Sequence, residues 1–244
     1  MSGAGGLAPL IGAASAYYRG AGRIAWHFAR AKLRSDPVFA AILARGLLGE
    51  RRRIVDLGCG QGLLAAWLLA AHTCYASERP GAWPRRWPAP PTLAAYTGIE
   101  INPREVARAR HAFALDPGAA VQIVQGDIRD IDYPAADAVV LLDVLHYLDY
   151  PSQERVLKRA RGTLAPHGLL LLRIGDAAGG VAFHFSRTVD EAVVLLRRRR
   201  WLPLRCRPLQ DWQQLLAACG FRARALPMRA GTPFANVLLH AELA

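Results

Sequence analysis

Arg53-Ile54-Val55-Asp56-Leu57 runs straight into Gly58-Cys59-Gly60-Gln61-Gly62, and residues 63–71 continue as LLAAWLLAA. A short β-rich run, a glycine turn and a helix that is apolar nearly all round make the first half of a βαβ unit. Outward from this point the alternation repeats. Residues 96–100 (YTGIE) read as a second strand ending in an acid, and Asn102-Pro103 follows as N-cap and first helical residue. Residues 121–125 read as a third strand before Gly126-Asp127. Residues 137–143 (DAVVLLD) are a continuous apolar run, as in a sheet covered on both faces. Pro151 opens a helix to about Leu164, and the Pro166-His167-Gly168 turn leads into a buried strand over 169–174. Pro208 starts a helix through Ala218 with Gly220 as its stop, and 222–227 and 235–241 read as the last two strands. Strands alternating with helices predict an α/β, doubly wound, Rossmann-like sheet.

Three stretches depart from the alternation. The apolar spacing predicts one helix over 14–33 with Tyr17, Ile24, Phe28 and Ala31 on one face, and Asp36-Pro37 opens a second helix over 37–47, ended by Gly46 or Gly49. Pro80, Pro84, Pro88, Pro90 and Pro91 allow no regular element over 73–92, where Trp83 and Trp87 sit among Arg79, Arg85 and Arg86. Residues 176–207 hold the flexible Gly179-Gly180 pair and an inserted helix over 187–200. The chain therefore divides into a helical N-terminal cap, 1–50, and a main domain, 51–244, with inserts at 73–92 and 176–207.

Composition limits the alternatives. The 244 residues are 52% hydrophobic and 20% charged, which excludes a disordered or fibrous chain. No run of about 18 apolar residues suggests a membrane span, and residues 1–16 lack a basic start, so a cytoplasmic protein is expected. Cys59, Cys74, Cys206 and Cys219 form no CxxC pair, so neither a disulfide framework nor a metal site is expected. The net charge of +12 is uneven: residues 19–53 hold nine basic and two acidic groups, residues 177–207 seven and two, and the remainder balances. An arginine-rich solvated surface explains this, and so does a basic face for an acidic carrier protein or a membrane surface.

Each early strand ends in an acid: Asp56, Glu100, Asp127 and Asp143. Ligands of doubly wound sheets bind beyond the carboxyl ends of the strands. Glycines at 58 and 60 allow a ligand close to the backbone. Clustered carboxylates repel a diphosphate and favour a cationic sulfonium and an amino group. Glu100 can accept from two ribose hydroxyls, and Asp127 from an adenine amino group. A dinucleotide fingerprint needs its third glycine at position 63, where this chain has Leu63.

Val55-Asp56-Leu57-Gly58-Cys59-Gly60-Gln61-Gly62, Gly98-Ile99-Glu100, Gln125-Gly126-Asp127-Ile128 and Leu142-Asp143-Val144-Leu145-His146-Tyr147 stand in register over residues 50–175. This set resembles the class I S-adenosylmethionine-dependent methyltransferases. The resemblance implies a seven-stranded sheet whose last strand is inserted antiparallel, and S-adenosylmethionine as cofactor. It implies that Asp56, Gly58, Cys59, Gly60, Gln61 and Gly62 wrap the methionine portion. Glu100 would bind ribose with Ile101 beside it, Asp127 and Ile128 would frame adenine, and Asp143 would lie near the methionine moiety and the acceptor. Tyr18-Arg19, Trp26-His27-Phe28, Arg173 through Gly180 and Ala230 through Asn236 are similar to methyltransferases of bacterial aryl polyene pigment synthesis. That likeness implies an aromatic, polyketide-like acyl acceptor on a carrier protein, and gives the basic segments an acidic partner.

Methyl transfer needs alignment above all, and a hydroxyl acceptor also needs a base. His146, three residues past Asp143, is the best placed base, ahead of His184 and His27. Tyr18, His27, Tyr147 and His184 are candidates for contacting the acceptor. A nucleic-acid methyltransferase is disfavoured because 143–146 lacks the Asn/Asp-Pro-Pro-aromatic run. An NAD-dependent oxidoreductase is disfavoured by Leu63 and the acid-rich strand ends. In a non-catalytic scaffold, residues 19–53 would lie as an interfacial helix on a membrane, whereas Tyr17, Ile24 and Phe28 serve equally well as core.

Overall fold

The computed structural model describes residues 7–77, 79–114, 116, 118, 120–176, 204–228 and 236–244. The predicted inserted helix over 187–200, His184 and Gly179-Gly180 lie outside them. The described strands form one seven-stranded sheet in the order β3-β2-β1-β4-β5-β7-β6, with β1 Arg53–Leu57, β2 Ala95–Glu100, β3 Val121–Gln125, β4 Ala136–Leu142, β5 Leu164–Gly175, β6 Phe221–Pro227 and β7 Asn236–Leu243. By compactness the chain divides into two units, Met1–Ala138 and Val139–Ala244.

In the first unit β1, β2 and β3 are parallel. Asp56 pairs with Gly98, Gly98 with Ile123, and Glu100 with Gln125, so all three strands end along one edge. Helix α4, Leu63–Ala76, follows the glycine turn, and Leu63 through Leu68 are all buried. Trp67 is fully enclosed there and donates its Nε1–H to the Phe39 carbonyl at 2.8 Å. Burying a side chain of that size contributes roughly 1.5–3 kcal/mol. Helix α5, Pro103–Phe113, opens as expected, with the Asn102 side chain accepting from Arg104 N.

The N-terminal segment differs from its sequence reading. The stretch forms α1, Ala8–Ala16, and α2, Arg23–Ser35, separated by a turn at 17–22. Gly22 breaks the helix with φ +103, a conformation open to glycine at little steric cost. The buried residues of α2 are Ala25, Ala29 and Leu33, not Ile24, Phe28 and Ala31. Helix α3, Pro37–Ala44, is capped by Asp36 and stops three residues early, ahead of left-handed Gly46 and Gly49. Residues 73–76 belong to α4, so the proline-rich insert starts later than expected. There the Tyr75, Trp83 and Trp87 rings pack edge to face on one another.

In the second unit, helix α6 spans Tyr150–Thr163 and α7 spans Leu209–Ala218. β7 runs antiparallel to both β5 and β6, with Arg173 opposite Leu238 and Ala223 opposite Ala241. This is the inserted last strand that the motifs imply. β5 starts at Leu164 rather than 169, so the Pro166-His167-Gly168 segment lies inside the strand, with His167 at φ +61. Leu169 through Leu172 are completely buried. Asp176, just past β5, accepts from Leu209 N at 3.1 Å, which ties the end of β5 to the start of α7.

Candidate functional site

The glycine turn grows directly out of β1. Gly58 N and Cys59 N both donate to the Ile99 carbonyl, at 2.8 and 3.2 Å. Gly60 and Gly62 take φ +56 and +80. A Cβ on Gly62 would strike the Phe113 ring at 2.8 Å, whereas a Cβ on Gly60 would meet nothing within 4 Å. Gly62 therefore seats the turn on α5, and Gly60 leaves an open approach to its backbone. Gly98 has no side chain because Cys59 Sγ would lie 2.7 Å from it.

Glu100 braces the turn. Its Oε2 accepts from Gly60 N at 3.0 Å and its Oε1 from Asn102 N at 2.8 Å. Each oxygen keeps a further lone pair for a hydroxyl donor. Asp56 is buried two residues before the first glycine and accepts from the Tyr96 hydroxyl. Burial pushes the Asp56 carboxyl up to about 7; the Tyr96 bond opposes this and the Glu100 charge adds to it. Burial also keeps the Cys59 thiol and the Tyr18 phenol well above their ordinary ranges, hence neutral. Tyr18 is enclosed and donates to the Gln61 carbonyl at 2.9 Å, while Gln61 Nε2 donates to the Ala25 carbonyl at 3.2 Å. The junction of α1 and α2 thus fastens the turn from behind. Gln61 Oε1 is a buried acceptor with no partner among the described residues.

Past β3, Asp127 holds Arg129, accepting from its backbone N at 2.9 Å, its Nε at 3.0 Å and its terminal nitrogen at 2.5 Å. Ile128 is buried, and its carbonyl accepts from the Tyr133 hydroxyl. Ile101 is exposed just beyond Glu100. His27 lies on the exposed face of α2 with its ring 4.6 Å from that of Trp26. A separate cleft of about 260 Å³ lies between Tyr17, Leu68, His72, Leu93 and Asp116, and no residue of the glycine turn lines it.

In the second unit, Asp143 sits at φ +59 and its carboxylate takes both Nε and a terminal nitrogen of Arg173, the former at 2.7 Å. Arg173 is buried in mid-strand on β5. His146 belongs to a single 3₁₀ turn, Leu145–Tyr147. Its carbonyl accepts from Arg205 N at 2.8 Å, and the fully buried Gln153 side chain donates to the Leu145, Leu148 and Arg205 carbonyls. The ring is 8% exposed, stands edge-on to partly exposed Tyr147 with centroids 4.1 Å apart, and its Nε2 has no partner among the described residues. Burial pulls its pKa down to about 4, with Asp143 opposing and Arg173 adding to the shift. The imidazole is therefore neutral at physiological pH.

The structure thus brings Asp56, the 58–62 turn, Glu100 and Tyr18 together in one unit, and Asp143 and His146 around Arg173 in the other. Tyr96, Arg129, Gln153 and Arg173 were not anticipated as partners of these groups. Arg173 left a signal, since a lone cation inside the buried run LLLLRIG needs a carboxylate. Among the described residues no cluster of three or more His, Cys, Asp or Glu side chains is placed to hold a metal ion.

Residues 55–170 match the family described as Methyltransferase domain. The chain is 32% identical over 146 residues to the carboxy-S-adenosyl-L-methionine synthase of Chromohalobacter salexigens, covering 57% of this chain and 48% of that protein. It is 26% identical over 206 residues to the trans-aconitate 2-methyltransferase of Mycobacterium tuberculosis, covering 84% and 59%. The chain spans about half the length of the curated relatives it matches. Among solved structures it resembles an O-methyltransferase family protein from Burkholderia thailandensis, with TM-score 0.62, 21% identity and coverage of 93% and 62%. It also resembles the magnesium protoporphyrin IX methyltransferase of Synechocystis with bound SAH, with TM-score 0.59, 18% identity and coverage of 91% and 89%.

Proposed function

We propose that this chain is a class I S-adenosylmethionine-dependent methyltransferase that methylates a hydroxyl of an aromatic, polyketide-like acceptor of the kind used in aryl polyene pigment synthesis, a reading supported by the matched methyltransferase domain and the fold. The observation that carries the hydroxyl acceptor is the buried, neutral His146 with an unpartnered Nε2. The motif likeness at Tyr18-Arg19, at 26–28 and around Arg173 supports the acceptor class, and the basic segment 177–207 suits an acidic carrier protein that delivers it.

The residues fit the cofactor. S-Adenosylmethionine, when bound, supplies an electrophilic methyl group on a cationic sulfonium. Gly60 offers an approach that a Cβ would fill, and Gln61 Oε1 is an acceptor awaiting a donor. Glu100, with Asp56 partly ionised near neutral pH, gives the turn the negative character that suits a cationic ligand. Glu100 holds ribose hydroxyls with its remaining lone pairs. His146 takes the acceptor's proton, a step worth about 10²–10⁴-fold in rate. Its lowered pKa keeps it in the basic form at neutral pH, at the expense of driving force. Asp143 and Arg173 neutralise one another beside it, so no net charge favours its protonation.

The test is turnover of aryl polyenoic hydroxy acids, free and carrier-bound, with the product identified by mass. His146→Ala should lower kcat by about 10²–10⁴-fold and leave S-adenosylhomocysteine affinity unchanged. Because the base is active only when neutral, the acid limb of the wild-type rate profile should lie near pH 4, not near the ordinary histidine value. Undiminished turnover in the variant moves the base elsewhere, and an acid limb at pH 6–7 that His146→Ala abolishes would contradict the lowered pKa of the buried ring. A carboxylated cofactor in place of a methylated acceptor would instead match the activity named for the carboxy-S-adenosyl-L-methionine synthase relatives.

A further inference from the structure

Helix α2 buries Ala25, Ala29 and Leu33 and presents Ile24 outward. Ala25 and Ala29 are buried, while Ile24 is 75% and Phe28 37% exposed. Successive helical residues turn by about 100°. Ile24, His27 and Ala31 therefore form an outward stripe, with Arg23, Arg30 and Arg34 along one flank, all of them exposed. No carboxylate lies within ion-pairing reach of those three arginines among the described residues. Asp36, the acid nearest the helix end, is taken by Lys32 at 2.8 Å. The sequence left two places for Ile24, the core or an interface, and its 75% exposure removes the first.

We propose that this face of α2 docks on an anionic lipid surface, with Ile24 entering the acyl boundary and Arg23, Arg30 and Arg34 meeting the phosphates. An exposed aliphatic side chain on a helix face flanked by cations is the pattern of a helix lying in the membrane plane. The charge complementarity is one-sided, with nine basic and two acidic groups over residues 19–53. A second copy of this chain would bring arginine against arginine. No described helix is long and apolar enough to cross a membrane, so the contact is peripheral. The inference uses burial and charge alone and is independent of the reaction proposed above.

Co-sedimentation of the full chain with vesicles tests it. The chain should pellet with phosphatidylglycerol–phosphatidylcholine vesicles, much less with phosphatidylcholine alone, and less as salt rises. Ile24→Asp should weaken the partition at least about tenfold, since it removes a buried aliphatic side chain. Replacing Arg23, Arg30 and Arg34 together by Gln should weaken it about 100-fold, at roughly fivefold per charge. Both variants should keep the wild-type circular dichroism and S-adenosylhomocysteine affinity, which separates docking from folding. Absence of pelleting on anionic vesicles overturns the proposal. So does equal pelleting on neutral ones, wild-type partition in both variants, or capture by soluble polyglutamate with none by vesicles.

Discussion

Asp56 is the residue on which the turn's electrostatics depend. Its folded pKa of about 7 stands above the ordinary carboxyl value because the charged form is buried. A raised pKa means the folded state holds the proton more tightly than the unfolded one. The stability associated with that proton is complete below about pH 4 and is lost as pH rises through 7. Asp56→Asn keeps an oxygen for the Tyr96 hydroxyl and removes the titration. The variant should gain on wild type by roughly 2–4 kcal/mol between pH 4 and 8, read as diverging midpoints in urea. Parallel midpoints across that range would mean that Asp56 is not a buried titrating group. The acids themselves were legible, because each ends a strand segment. Their partners were not, since Tyr96 lies 40 residues from Asp56. Only the register, with Asp56 opposite side-chainless Gly98, puts the two on one face.

At the scale of an element, β5 carries a buried cation in mid-strand. Arg173 is tolerated because Asp143, held in the left-handed region at the end of β4, offers a carboxylate in bidentate geometry. Asp143→Asn preserves the backbone preference and takes the bidentate carboxylate from the buried Arg173, at a cost of about 3–5 kcal/mol. The double replacement Asp143→Asn with Arg173→Met should recover most of that loss, because no buried charge is then left to compensate. A double variant as unstable as the single one would place the cost in packing. Helix α2 teaches the complementary lesson. Periodicity located apolar residues but not the face that is buried, because that face is carried by the small Ala25 and Ala29 together with Leu33. The break at Gly22 was hidden inside an otherwise periodic run.

Over the whole molecule, the alternation of strands and helices and four motifs in register were enough to anticipate the seven-stranded sheet and its antiparallel last strand. These are properties of local pattern and chain order. What sequence withheld is long-range: the Tyr18 and Gln61 fastening behind the turn, and the Gln153 hub beneath His146. The account rests on the glycine turn and Glu100 forming an S-adenosylmethionine site, and calorimetric titration with S-adenosylhomocysteine, with NAD as control, tests that most directly. Wild type should bind S-adenosylhomocysteine at micromolar concentration and NAD not at all, and Glu100→Ala should weaken binding by roughly 1.5–3 kcal/mol through lost charge-assisted hydrogen bonds. Binding of NAD, no binding of either ligand, or equal affinity in the variant would contradict it.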